Sequence, residues 1–234
     1  MELRIPYYEI WNDEADVDTA LPFTKDEGLR MVRKIEYMAR ISHASEEAMT
    51  ADSWNRFLRS VVLSKGDWSV VEHGYLTVVF FVDRGITHEI VRHRLSSYTQ
   101  SSTRFINYVK KMPPEFVYPD VEGHSESVIP LPMDADWVHA IESCEAAYKK
   151  LVGKGWKPQI ARSVLPNALG SKIAMTCNLR NWRHFLLMRS TREAHPQMLQ
   201  VIVPLLEEMK VKIPIFFEDI IPGATQADNL KMMR

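Results

Sequence analysis

The run 75–82, YLTVVFFV, constrains this chain more than any other segment. It holds β-branched and aromatic residues with a single leucine and no charge, so it reads as a buried strand. A strand over 3–11, with Tyr7 and Tyr8, precedes it, and SKIAMTCNL (171–179) supplies a third. A polar stretch, SSYTQSS, leads to a further strand at 103–109.

Helical spacing accounts for most of the rest. Thr24 is an N-cap for a helix to Arg40, with Glu27 at the capping-box position and Leu29, Val32, Ile35 and Met38 as its apolar stripe. Trp54, Phe57, Leu58 and Val61 mark a second helix over 52–64. A short helix runs from about Thr87 to Leu95, and an amphipathic one over 134–152. Pro158 suits the first turn of another. Asn181–Ser190 is helical, and Pro196 opens a last helix to about Lys210. Pro-rich 113–132 reads as a loop, the place for an insertion or mobile cover. With no repeat or linker to divide it, the chain reads as a mixed α and β single domain over 1–222, followed by a flexible tail, 223–234.

Length and cysteine usage narrow the class. At 234 residues the chain can bury a core without disulfide or metal staples. Cys144 and Cys177 form no CxxC pair, which suits a reducing compartment. No signal-peptide pattern and no apolar run of membrane length is present, so the expectation is a soluble cytoplasmic protein without a membrane partner.

The net charge of −1 conceals an uneven distribution. Twelve acids fall in the first 60 residues, among them Asp13, Glu14, Asp16 and Asp18. Residues 90–114 carry Arg92, Arg94, Arg104, Lys110 and Lys111 without one acid, and 160–192 carry Arg162, Lys172, Arg180, Arg183, Arg189 and Arg192 likewise. Unpaired cations cost desolvation when partly buried, so two such segments suggest an anion supplied from outside the chain. The competing arrangement pairs them with the acidic N-terminal third.

Several chemistries are excluded. The histidines of HEIVRH (88–93) are five apart, about 500° around a helix, and leave opposite faces, so no zinc-protease site and no other metal site is expected. There is no phosphate-binding GxxxxGK[ST] loop, no GxGxxG after a strand and no GxSxG. Cys144 lies between Glu142 and Glu145, and Cys177 reads as a buried strand residue, so neither is a prepared nucleophile.

The densest polar constellation is RHRLSSYTQSSTR, 92–104. Arginine suits bidentate recognition of phosphate or carboxylate, and hydroxyls with loop N–H groups complete such sites. A second feature is Arg189: Trp182, Phe185, Leu186 and Arg189 share one helical face, so a guanidinium continues an apolar stripe and needs a partner. These residues alone leave open a nucleotide- or RNA-binding module, with Tyr98, Phe105 and Tyr108 as stacking groups, and another flavin or folate enzyme.

The string Arg92-His93-Arg94, seven residues, Ser102 and Arg104 resembles the signature of flavin-dependent thymidylate synthases. VEH (71–73), RGITHEIVRHR (84–94), ARSVLP (161–166), CNLRNWRHFLLMR (177–189) and AHPQM (194–198) resemble further blocks of that family, in order. The resemblance implies an α+β fold, a mainly antiparallel sheet packed by helices, assembled as a homotetramer with active sites shared between subunits. It implies synthesis of dTMP from dUMP, with methylenetetrahydrofolate as carbon donor and NADPH-reduced FAD as hydride source, and no nucleic-acid partner. Arg189 would be the catalytic residue, stabilising the deprotonated N3 of dUMP. FAD contacts would be Arg92, His93, Arg94, Gln100, Asn178, Leu179, Arg180, His184, His195, Tyr75 and Ser42. Contacts to dUMP would be Glu89, Arg92, Gln100, Ser101, Ser102, Thr103, Arg104, Arg162 and Arg189, with His73 and Phe105 near folate. Ser102 has no adjoining His/Asp pair in sequence, which favours binding over attack. Tyr75 stands where Ser or Thr is common, and Phe105 replaces a common Tyr, keeping a stacking face without the hydroxyl.

Overall fold

Pro6 divides the strand expected over 3–11. A proline has no amide to continue a ladder, and the two pieces join different sheets: β1 (Glu2–Arg4) and β2 (Tyr7–Trp11). The computed structural model describes residues 1–11, 23–119 and 133–231. Asp13, Glu14, Asp16 and Asp18 lie outside the described residues, as does 120–132 of the Pro-rich loop.

Helix α1 (Lys25–Ile41) starts as its sequence dictates. Thr24 Oγ1 accepts from the Glu27 amide while the Glu27 carboxylate accepts from the Thr24 amide, closing the capping box. Its buried stripe is Gly28, Val32, Ile35, Glu36, Ala39 and Arg40; Leu29 and Met38 sit at its margin, half-buried. The helix predicted over 52–64 is α2 (Ser53–Leu58) continued by π-helical turns over Arg59–Ser64. A 3₁₀ segment, Trp68–His73, leads into β3 (Tyr75–Asp83).

Strand β3 is the spine of a four-stranded antiparallel sheet with order β2-β3-β6-β4, where β4 is Ser97–Gln100 and β6 is Gly170–Asn178. Register places Tyr7 opposite Phe81 and Tyr75 opposite Asn178. Leu76, Val78, Phe80 and Val82 point to one face with Ile173, Met175 and Cys177 of β6, under the helices. On the other face Tyr75 is exposed, Thr77 and Val79 are half-buried and Phe81 is buried against Tyr7, so cover on that side grows along the strand and the run is not wholly buried.

α3 (Arg84–Ile90) begins and ends earlier than predicted. Asp83 caps it by accepting from the Ile86 amide at 2.8 Å, and beyond Ile90 the chain turns. The strand then forms within the polar stretch, as β4, rather than at 103–109. Asn107 Oδ1 accepts from the amides of Val109 and Lys110, an Asx turn that competes with extension there. The loop segment carries β5 (Glu115–Val117), parallel to β1. A second core forms around Phe116, Tyr108, Leu169, Ile141 and Tyr148, the last two from α4 (Ala135–Gly153).

Pro158 occupies the first turn of α5 (Pro158–Ala161). Helices α6 (Leu179–Arg189) and α7 (Pro196–Lys212) complete the main core with Trp182, Phe185, Met198 and Leu205. The tail expected after Pro222 has structure: Gly223 N–H donates to the Ser190 carbonyl at 2.8 Å, and α8 (Gln226–Lys231) packs beside α6.

Candidate active site

The site is assembled from α6 and the turn that follows α3. Asn178 Oδ1 accepts from the Asn181 amide at 2.9 Å, fixing the start of α6. From there Asn181, His184 and Met188 face outward at helical spacing, and Arg189 ends the buried row of Trp182, Phe185 and Leu186. Opposite, Tyr98 of β4 donates its hydroxyl to the carbonyls of Ile90 and His93, at 2.9 and 2.8 Å.

Between them lies a cleft of about 620 Å³, lined by Arg92, His93, Arg94, His184, Arg189 and Gln226 among others. A second cleft of about 510 Å³ adjoins it, walled by Trp68, Glu72, Arg180 and Leu187, and shares Leu95, Asn181 and His184 with the first.

Arg189 is held from three directions. Its Nε donates to His93 Nε2 at 3.0 Å, one terminal nitrogen to Glu89 Oε2 at 2.8 Å, and the other to the Glu89 carbonyl at 3.2 Å. Two of its five N–H groups remain for a ligand. His93 must therefore be an acceptor at Nε2, hence neutral. Its ring packs edge-on against Phe185, 4.7 Å between centroids. Burial, then the positive Arg189 and the neighbouring His184, push its pKa down to about 4. Glu89, awkward beside an anion, serves here as the counter-charge of Arg189.

The two acid-free segments divide on inspection. Arg183 forms a bidentate pair with Asp219 at 2.5 and 2.6 Å and is buried. Arg180 meets Glu72 at 2.5 Å, Arg189 meets Glu89, and Arg192 lies 3.5 Å from Glu193. Of these acids only Glu72 comes from the N-terminal third; Glu89, Glu193 and Asp219 come from the middle and end of the chain. Among the described residues, no acid pairs with Arg92, Arg94, Arg104 or Arg162. Arg92 and Arg94 line the first cleft, so its two unneutralised cations fit a pyrophosphate.

Several predicted residues stand elsewhere. Arg162 donates to Thr103 Oγ1 at 2.9 Å and Arg104 to Gln159 at 3.3 Å, a patch with Ser101, Ser102 and exposed Phe105 that lines neither cleft. Gln100 donates its amide to Thr87 Oγ1 and Ser171 Oγ at 2.9 and 3.2 Å. Ser42 closes α1 by donating to the Ala39 carbonyl, and His195 caps α7 by accepting from the Gln197 amide. His73 ends the 3₁₀ segment. Leu179 is buried, with its amide bonded to the Gly74 carbonyl. Asn181, Met188, Glu193 and Gln226 line the first cleft without having been predicted. The face of α6 that carries His184 is the signal for the first two.

Other chemistries recede. Burial raises the Cys177 thiol to about 12, so it is no nucleophile at neutral pH. Among the described residues no cluster of His, Cys, Asp and Glu could hold a metal ion, and no helix is long and apolar enough to cross a membrane. Of the three proposed stacking residues, Tyr108 is buried and the Tyr98 hydroxyl is committed, leaving Phe105.

Comparison with known proteins identifies the family. The family described as "Thymidylate synthase complementing protein" matches residues 29–215. The flavin-dependent thymidylate synthase of Corynebacterium glutamicum is 31% identical over 193 residues, 73% of this chain and 71% of that protein. Its counterpart from Geobacter sulfurreducens is 31% identical over 192 residues, covering 79% and 80%. Among solved structures, the UMP/dUMP methylase PolB of Streptomyces cacaoi, bound with 5-Br dUMP, superposes with a TM-score of 0.69 at 24% identity. That match covers 93% of this chain and 96% of PolB. The same methylase bound with 5-Br UMP gives 0.67. The chain belongs to the flavin-dependent thymidylate synthase family.

Proposed function

We propose that the protein makes dTMP from dUMP, taking the carbon from methylenetetrahydrofolate and the hydride from FAD reduced by NADPH. The observation that carries this reading is the convergence of Arg92, His93, Arg94 and Arg189 on one cleft. Support for the substrate class comes from the PolB structures, whose bound ligands are halogenated uridylates.

Arg92 and Arg94 would hold the FAD pyrophosphate, with Arg180 and His184 along the adjoining cleft. When bound, the flavin supplies hydride chemistry that the chain's own residues lack. Arg189 keeps its charge beside Glu89, and its two free N–H groups stabilise a uracil ring ionised at N3. Neutral His93 keeps Nε of that guanidinium occupied, so the group is oriented before substrate arrives. No thiol takes part.

The patch of Ser101, Ser102, Thr103, Arg104 and Arg162 would bind the dUMP phosphate. It lines neither cleft of its own chain, so the proposal includes a homotetramer in which a neighbouring subunit brings the patch to the cleft. Exposed Phe105 and Ile160 supply apolar surface for that assembly. Gln100, Asn178, His195, Ser42, His73 and Tyr75 keep their expected ligand contacts in this reading. Two free cysteines suit a reducing cytoplasm.

The test is direct. Purified protein titrated with FAD should develop a bound-flavin spectrum, bleach anaerobically with NADPH, and yield dTMP once dUMP and methylenetetrahydrofolate are added. Binding of dUMP without any flavin uptake or product would favour a nucleotide-binding module.

A further inference from the structure

The turn 91–95 carries the two arginines of the cleft, yet no side-chain burial holds its far end. Arg92 and Arg94 are exposed and without acid partners among the described residues, and Leu95 is 79% exposed. Polar tethers do the holding, ahead of Ser97, where β4 begins its pairing with β6. Tyr98 grips the near half through the Ile90 and His93 carbonyls. At the far end Asn181 Nδ2 donates to the Leu95 carbonyl at 2.9 Å, across 86 residues of sequence. Asn181 is itself fixed, since its amide is capped by Asn178 and it lies in the first turn of α6. It also lines both clefts, as does Leu95.

We propose that Asn181 is a positioning residue, whose carboxamide clamps the Leu95 carbonyl and sets where Arg92 and Arg94 stand over the cleft. The clamp needs a donor. Aspartate has nearly the same shape but at neutral pH only accepts, so Asn181→Asp separates clamping from space-filling. An acid in the first turn of a helix is also favourable, so this variant should fold.

Hydrogen–deuterium exchange of 91–97, with melting temperature as control, tests the clamp in the full chain without any ligand. Both Asn181→Ala and Asn181→Asp should speed exchange there about five-fold, the worth of one neutral hydrogen bond. Melting should move by no more than about 5 °C. Unchanged exchange in both variants, or Asp behaving as wild type while Ala does not, would overturn the proposal. The ligand arm rests on the flavin reading: both variants should bind FAD about five-fold more weakly. Faster exchange with undiminished FAD affinity would show a tether that positions nothing. If the wild-type protein takes up no FAD, the functional reading fails, and the exchange result still decides the clamp.

Discussion

His93 illustrates how a partner remote in sequence decides a residue's chemistry. Between two arginines it could be an imidazolium; the structure makes it a neutral acceptor, because Arg189, 96 residues away, donates to it. Its folded pKa of about 4 lies below the ordinary 6.5. The folded state therefore binds fewer protons than the unfolded state between those values. The associated stability is complete above about pH 6.5 and is lost as pH falls toward 4. His93→Gln, which keeps an acceptor, should flatten the melting temperature across that window, measured by thermal scans at several pH values. Glu89 has the complementary role. Glu89→Ala should lower turnover about ten-fold or more by releasing a charge-assisted bond to Arg189, with Glu89→Gln in between, read in steady-state kinetics. Arg189 itself was legible, since helical spacing put a guanidinium on an apolar row. Glu89 and His93 were expected as ligand contacts, but their bonds to Arg189 were not legible, because pairing across about 100 residues leaves no local pattern.

Elements were legible where capping chemistry is local. Thr24 with Glu27, and Pro158 in a first turn, fixed helix starts that the structure reproduces. The segment after β3 shows the limit. The RGITHEIVRH pattern continues past Ile90, but Tyr98 holds the Ile90 and His93 carbonyls in a turn, a side-chain contact five and eight residues on that helical periodicity does not register. Packing adds another constraint that periodicity hides. Gly28 lies against the backbone of Lys212, so a Cβ there would run into that carbonyl. Gly28→Ala should cost about 2 kcal/mol or more by forcing α1 from α7. Thr24→Ala should cost about 1 kcal/mol through loss of the cap. Urea denaturation of the two variants checks the order: a smaller loss at Gly28 than at Thr24 would contradict this packing.

At the scale of the whole molecule, the uneven charge found in the sequence resolves into two populations. Arg180, Arg183 and Arg189 meet acids from other segments and Arg192 meets the adjacent Glu193, while Arg92, Arg94, Arg104 and Arg162 have no acid partner among the described residues, and these mark the surfaces proposed for anions. The homotetramer came from the family resemblance alone, because periodicity carries no information on which faces meet another subunit. The last residues, read as a tail, instead bring Gln226 to the cleft wall, and deleting 223–234 should weaken FAD binding, measured by fluorescence titration. In the proposed reaction this cleft methylates dUMP, with Arg189 activating the ring. The most direct measurement is tritium release from C5-labelled dUMP with methylenetetrahydrofolate and NADPH. Release that requires FAD, and that falls at least about 100-fold in folded Arg189→Ala, is predicted. Release independent of FAD, or undiminished in Arg189→Ala, would contradict it.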